Sequence, residues 1–75
     1  MTSLIALSVY SVYVERMKSA DLIRELKADG WTLDRTRGSH HVFKHPTRHG
    51  IVVVPHPKKD LGAGLVAAIR RQAGL

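Results

Sequence analysis

The sequence predicts an α+β domain in which a helix, a three-stranded antiparallel meander and a second helix follow one another, with both helices on one face of the sheet. Three observations carry this. Residues 19–28 and 63–73 repeat apolar side chains with helical period, and the runs between them have strand composition. Glycine and proline separate those runs at short intervals, as hairpin connections require.

The first helix is expected from Ser19 to Ala28, with Ser19 as N-cap and Asp21 in the first turn, where the helix dipole favours an anion. Leu22, Ile23 and Leu26 form its apolar face, and Gly30 ends it. Trp31-Thr32-Leu33-Asp34-Arg35 then alternates with period two, which places Trp31 and Leu33 on one side of a first strand. A turn at Arg37-Gly38 leads into a second strand, from Ser39 to Lys44, and His45 to Gly50 is a polar loop. Ile51 to Val54 is a third strand, apolar on both faces, so part of its outer face should be covered too. Pro55-His56-Pro57 stops it, since proline cannot donate to a ladder. The last helix runs from Gly62 or Ala63 to Ala73, with Leu65, Ala68, Ile69 and Gln72 on one face and Gly74 as its cap. No internal repeat or low-complexity linker interrupts the order.

Residues 1–16 differ from the rest. Ser8 to Val14 is dense in β-branched and aromatic residues and free of charge, so it is expected to add a strand at a sheet edge or to pair with another chain, which would make an oligomer. The competing reading is an upstream addition to a domain of residues 17–75, since the well-patterned sequence begins at Met17. Leu4 to Val14 is too short to span a bilayer, where about 20 residues are needed, and lacks the basic start and small-residue cleavage pattern of a signal peptide. No membrane association is expected.

At 75 residues the chain makes a single domain with no room for a large buried active-site cavity. The absence of cysteine excludes disulfides, thiolate chemistry and cysteine-ligated zinc, and agrees with a cytoplasmic protein. Twelve Lys and Arg against six Asp and Glu give a net charge of +6, which suits a polyanion such as nucleic acid or an acidic protein partner; the plainer reading is a solubilising surface.

Arg37-Gly38-Ser39-His40-His41-Val42-Phe43 is the stretch that reads as a site. Successive strand residues point to opposite faces, so if Phe43 faces the core, His41 lies with it and His40 faces out with Lys44. His40 is therefore the first candidate for acid-base chemistry; the plainer reading is two surface histidines in a basic loop.

From Met17 to Leu75 the chain closely resembles the HicA family of bacterial toxins. The resemblance rests on Asp29-Gly30-Trp31 after the first helix, Gly38-Ser39-His40 opening the second strand, Val54-Pro55-His56 after the third, and Ile69-Arg70-Arg71-Gln72-Ala73-Gly74-Leu75 at the end. It implies a double-stranded-RNA-binding-domain-like α-β-β-β-α fold and a ribosome-independent mRNA interferase activity, with the catalytic histidine of the family falling on His40. It also implies an acidic HicB-type antitoxin that binds the basic face and blocks His40. Residues 1–16 have no counterpart in the family pattern.

RNA is cut without a metal or other cofactor when its 2′-hydroxyl attacks the neighbouring phosphate, which calls for a base, an acid and positive charge. Histidine serves the first two, and a positioned acid or base is worth about 10²- to 10⁴-fold. His40 is assigned to that work, with Gly38 letting the RNA backbone approach, Ser39 hydrogen-bonding the phosphate and Lys44 stabilising its charge. His41 and His56 are candidate helpers whose plainer role is structural. Arg35, Arg37, Lys44, Arg48, Lys58 and Lys59 supply cations for RNA, whereas Arg70 and Arg71 answer first to the helix dipole. The rival readings are a non-catalytic RNA-binding module, a zinc protein using His41, His45, His49 and His56, and a pure interaction protein assembling through residues 1–16.

Overall fold

The structure, a computed structural model, describes residues 16–75, so the strand or interface expected of residues 1–16 falls, apart from Arg16, outside the described residues. The elements are α1 (Ser19–Ala28), β1 (Thr32–Arg37), β2 (His40–Lys44), β3 (Val52–Pro55) and α2 (Ala63–Ala73). The strands form one antiparallel sheet in the order β1-β2-β3. This is the expected α-β-β-β-α architecture.

Leu22, Ile23 and Leu26 of α1 and Val66, Ile69 and Ala73 of α2 close over Phe43, Val52 and Val54, with Trp31 and Leu61 completing the core. The buried face of α2 is rotated from the expected one: Leu65, 42% exposed, points to solvent, and so do Ala68 and Gln72. Leu65, Val66, Ala67, Ala68 and Ile69 are all apolar, so the pattern leaves the phase of the helix open, and packing against β3 sets it. Ser19 also differs from expectation. It is the first helical residue, with Lys18 at the cap position, and its hydroxyl turns away from the helix end into the segment after β3.

The first strand runs two residues further than its alternation suggests, and a bulge between Leu33 and Arg35 interrupts its register with β2. Both helices pack against β3, which leaves β1 exposed along its length and Leu33 46% accessible. The third strand is displaced by one residue, from Val52 to Pro55. Among the described residues β3 is an edge strand, where proline is tolerated, and the ladder ends on the His56 N–H, which donates to the Ser39 carbonyl at 2.8 Å.

Asp29-Gly30-Trp31 has a structural duty. The His45 ring accepts the Thr47 backbone N–H at Nδ1 (3.1 Å), so Nε2 carries the proton and donates to the Asp29 carbonyl at 2.8 Å. That ring stands edge-on to Trp31, with centroids 5.2 Å apart. Gly30, at φ +101°, lies so close beneath it that a Cβ would sit 2.7 Å from His45 Nε2. The Arg48 guanidinium donates to the Asp29 carboxylate and to the Ala73 carbonyl. The loop from His45 to Gly50 thus ties the end of α1 to the end of α2, and the Arg70–Glu25 ion pair, at 2.8 Å, joins the same two helices.

Candidate active site

Cross-strand partners share a sheet face, so the register sorts the residues. On the helix side lie Leu33, Phe43 and Val52, followed by Thr36, His41 and Val54. On the side away from the helices, open at its ends but covered at its centre where Val42 is 4% exposed, lie Thr32 with Lys44, then Arg35 with Val42 and Val53, and finally Arg37 with His40 and Pro55. The bulge creates this last arrangement. Without the extra residue, Arg35 and Arg37 would continue on the side of Leu33; with it, both cross to the side of His40.

His40 is exposed on the open face at the start of β2, immediately after the two-residue turn Gly38-Ser39. Gly38 has φ +56° and Ser39 does not have positive φ, the pattern of a type II′ hairpin turn with glycine first. Among the described residues no atom lies within 4 Å of where a Gly38 Cβ would sit, so the demand for glycine there is one of backbone angle.

Arg37, directly across from His40, makes no ion pair among the described residues. Lys44 shares the face of His40 but stands four residues along the strand, about 13 Å away at the usual rise. It also lies 3.6 Å from Asp34, the bulge carboxylate that Arg35 contacts as well. Arg48 is committed to Asp29 and Ala73. Of the cations named from sequence, Arg37 is therefore the one positioned beside His40 without a carboxylate of its own.

His41 and His56 meet on the opposite side of the sheet from His40. Their rings are edge-on with centroids 4.7 Å apart, and His41 Nδ1 is buried without a hydrogen-bond partner among the described residues. His56 Nδ1 and the Ser19 hydroxyl share a hydrogen bond at 2.7 Å, and the same hydroxyl accepts the Lys58 backbone N–H at 2.8 Å and lies 3.1 Å from the Lys58 carbonyl. Ser19 is 1% exposed, which removes it from any nucleophilic role. The four histidines of the zinc reading separate: His41 and His56 face each other, while His45 spends both nitrogens on backbone partners. Among the described residues no group of three or more His, Asp or Glu side chains converges as a metal site would need.

Lys58 and Lys59 are exposed beside Lys18, His56, Pro57 and Ala20, around a groove between the start of α1 and the segment leading to α2. Sequence reasoning did not find Lys18 or the groove, because residues 18 and 58 are brought together by long-range pairing, through the Ser19–Lys58 hydrogen bonds and the Met17–Leu61 bridge.

The family model of the HicA toxin of bacterial toxin-antitoxin systems matches residues 19–75. The chain belongs to the HicA toxin family. No curated protein matches it. The matched segment starts with the first residue of α1 and includes all five elements of this HicA toxin, so the open face, the Gly38-Ser39 turn and His40 all lie inside it. Membership makes the protein the toxin side of a toxin-antitoxin pair, with an antitoxin as its partner. No helix of the described residues is long and apolar enough to cross a membrane.

Proposed function

We propose that this HicA toxin is a metal-independent endoribonuclease, an mRNA interferase, with His40 as its catalytic residue, and that a HicB-type antitoxin inhibits it by covering the open sheet face. The observation that carries the reading is the pairing of an exposed His40 with an unneutralised Arg37 on the same face.

The reaction balances on the RNA itself. The 2′-oxygen bonds to the adjacent phosphorus as the base removes its proton, the bond from phosphorus to the 5′-oxygen breaks, and an acid protonates that oxygen. The products are a 2′,3′-cyclic phosphate and a 5′-hydroxyl. His40 serves as base or acid, and water completes the other transfer, because His41 and His56 lie across the sheet. Arg37 stabilises the negative charge that builds on the phosphate oxygens, where a fixed cation contributes most. The backbone around Gly38 and the Ser39 hydroxyl are open to the phosphate from solvent.

Cleavage of single-stranded RNA by wild type and His40→Ala, with and without EDTA, tests the proposal. Cleavage by wild type in EDTA with cyclic phosphate ends, lost in His40→Ala while far-UV circular dichroism and antitoxin binding are unchanged, is expected. Retained cleavage by His40→Ala overturns the residue assignment. RNA binding by wild type with no cleavage returns the non-catalytic module.

A further inference from the structure

We propose that the groove ringed by Lys18, Lys58 and Lys59 is a second nucleotide subsite, which holds a phosphate of the same RNA strand beyond the one at His40. This rests on the ribonuclease reading above and adds a location for the flanking strand.

The charge distribution points there first. Each carboxylate of the described residues (Asp21, Glu25, Asp29, Asp34 and Asp60) faces a cation. The cations with no ion pair among the described residues are Lys18, Lys27, Arg37, Lys58, Lys59 and Arg71. Three of them ring one groove, and a fourth is Arg37 beside His40. Unneutralised like charges gathered in one place repel one another, and a bound phosphate relieves that repulsion.

Size favours a nucleotide over a protein surface. The groove is open to solvent and has a volume of about 540 Å³, within the roughly 300–1,000 Å³ of small-ligand sites, whereas a protein partner needs roughly 800 Å² on each side. Pro57, Ala20 and His56 line it together with the three lysines, so a base or sugar has apolar surface to lie against beside cationic side chains.

The groove lies at the same end of the sheet as His40, around the corner from its face. Pro55 faces His40 across the strands, and the next residue, His56, already lines the groove. Lys58 follows Pro55 by three residues, a reach of at most about 10 Å along the chain. The floor is stitched in place: Ser19 N–H donates to the Lys58 carbonyl at 2.9 Å, and its hydroxyl bridges Lys58 N–H and His56 Nδ1. A strand whose scissile phosphate lies at His40 therefore meets the lysines where it turns over the end of the sheet.

The test uses the full chain carrying His40→Ala and a 2′-O-methyl oligoribonucleotide of mixed sequence, which is not cut. Four contacts, from Arg37 and the three lysines, give a slope of log K against log salt of about −3, since each single-strand contact contributes about −0.7. Adding Lys18→Gln, Lys58→Gln and Lys59→Gln is expected to reduce the slope to about −0.7 and to weaken binding at 0.1 M salt by about 100-fold. Unchanged slope and affinity in the lysine variant overturn the subsite and leave the His40 reading standing. No oligonucleotide binding before the lysines are changed overturns both. Loss of binding to the purified antitoxin, with RNA affinity intact, assigns the lysines to a protein surface and overturns the subsite.

Discussion

Replacing Arg37 or Lys44 by glutamine separates two accounts of how the phosphate charge at His40 is stabilised. Arg37 is the cross-strand partner of His40, so its charge acts over a distance on the order of 5 Å, whereas Lys44 acts over about 13 Å. At 5 Å a unit charge contributes about 0.8 kcal/mol in water and about 3 kcal/mol at an effective dielectric near 20. Screening over a length of about 8 Å reduces this to about 0.5–2 kcal/mol. The same treatment leaves about 0.1–0.3 kcal/mol at 13 Å, and Asp34, 3.6 Å from the Lys44 ammonium, cancels part of that. In kcat/KM for RNA cleavage at physiological salt, Arg37→Gln should therefore cost about 2- to 20-fold and Lys44→Gln less than about 2-fold. Both side chains are exposed, so far-UV circular dichroism should not change. A loss on Lys44→Gln equal to or larger than that on Arg37→Gln would refute this account and restore Lys44 as the principal phosphate contact.

Other consequences concern the frame that holds the site. Gly30→Ala imposes a left-handed conformation on alanine, about 1–2 kcal/mol, and displaces His45 from the Asp29 carbonyl, about 0.5–1.5 kcal/mol more. At about 4–8 °C per kcal/mol for a domain of this size, the combined loss lowers Tm by roughly 10–20 °C. Repeating the substitution in a His45→Ala background should recover about 1 kcal/mol of that loss, and equal losses in the two backgrounds would show that the ring is not what Gly30 makes room for. Ser19→Ala leaves Lys58 N–H and His56 Nδ1 unpaired and should cost about 1–3 kcal/mol in urea unfolding. A loss of only a few tenths, the usual effect of removing a surface hydroxyl, would contradict the stitched loop. The antitoxin and a non-cleavable RNA should compete for the toxin, and simultaneous binding of both would argue against inhibition by covering the open face.

Much of this protein was legible along the chain. Helical periodicity located both helices within a residue, Gly38 and Gly74 marked a turn and a helix end, and strand parity placed His40 and Lys44 on one face with His41 and Phe43 on the other. These are local quantities, written into dihedral preferences and the side-chain period of each element. Tertiary structure decided the rest. The bulge at Asp34 moved Arg35 and Arg37 to the face of His40, a shift of one residue that alternation alone does not announce. Packing on β3 chose Val66 over Leu65 as the buried residue of α2. Pairing between residues far apart in sequence turned Ser19 from a cap into a bridge to His56 and Lys58, took Arg48 into a clamp with Asp29, and gathered Lys18, Lys58 and Lys59 around one groove. Which cations remain available to a ligand depends on where the carboxylates fold to, so His40 could be singled out from the sequence, and its neighbour Arg37 only once the strands were paired.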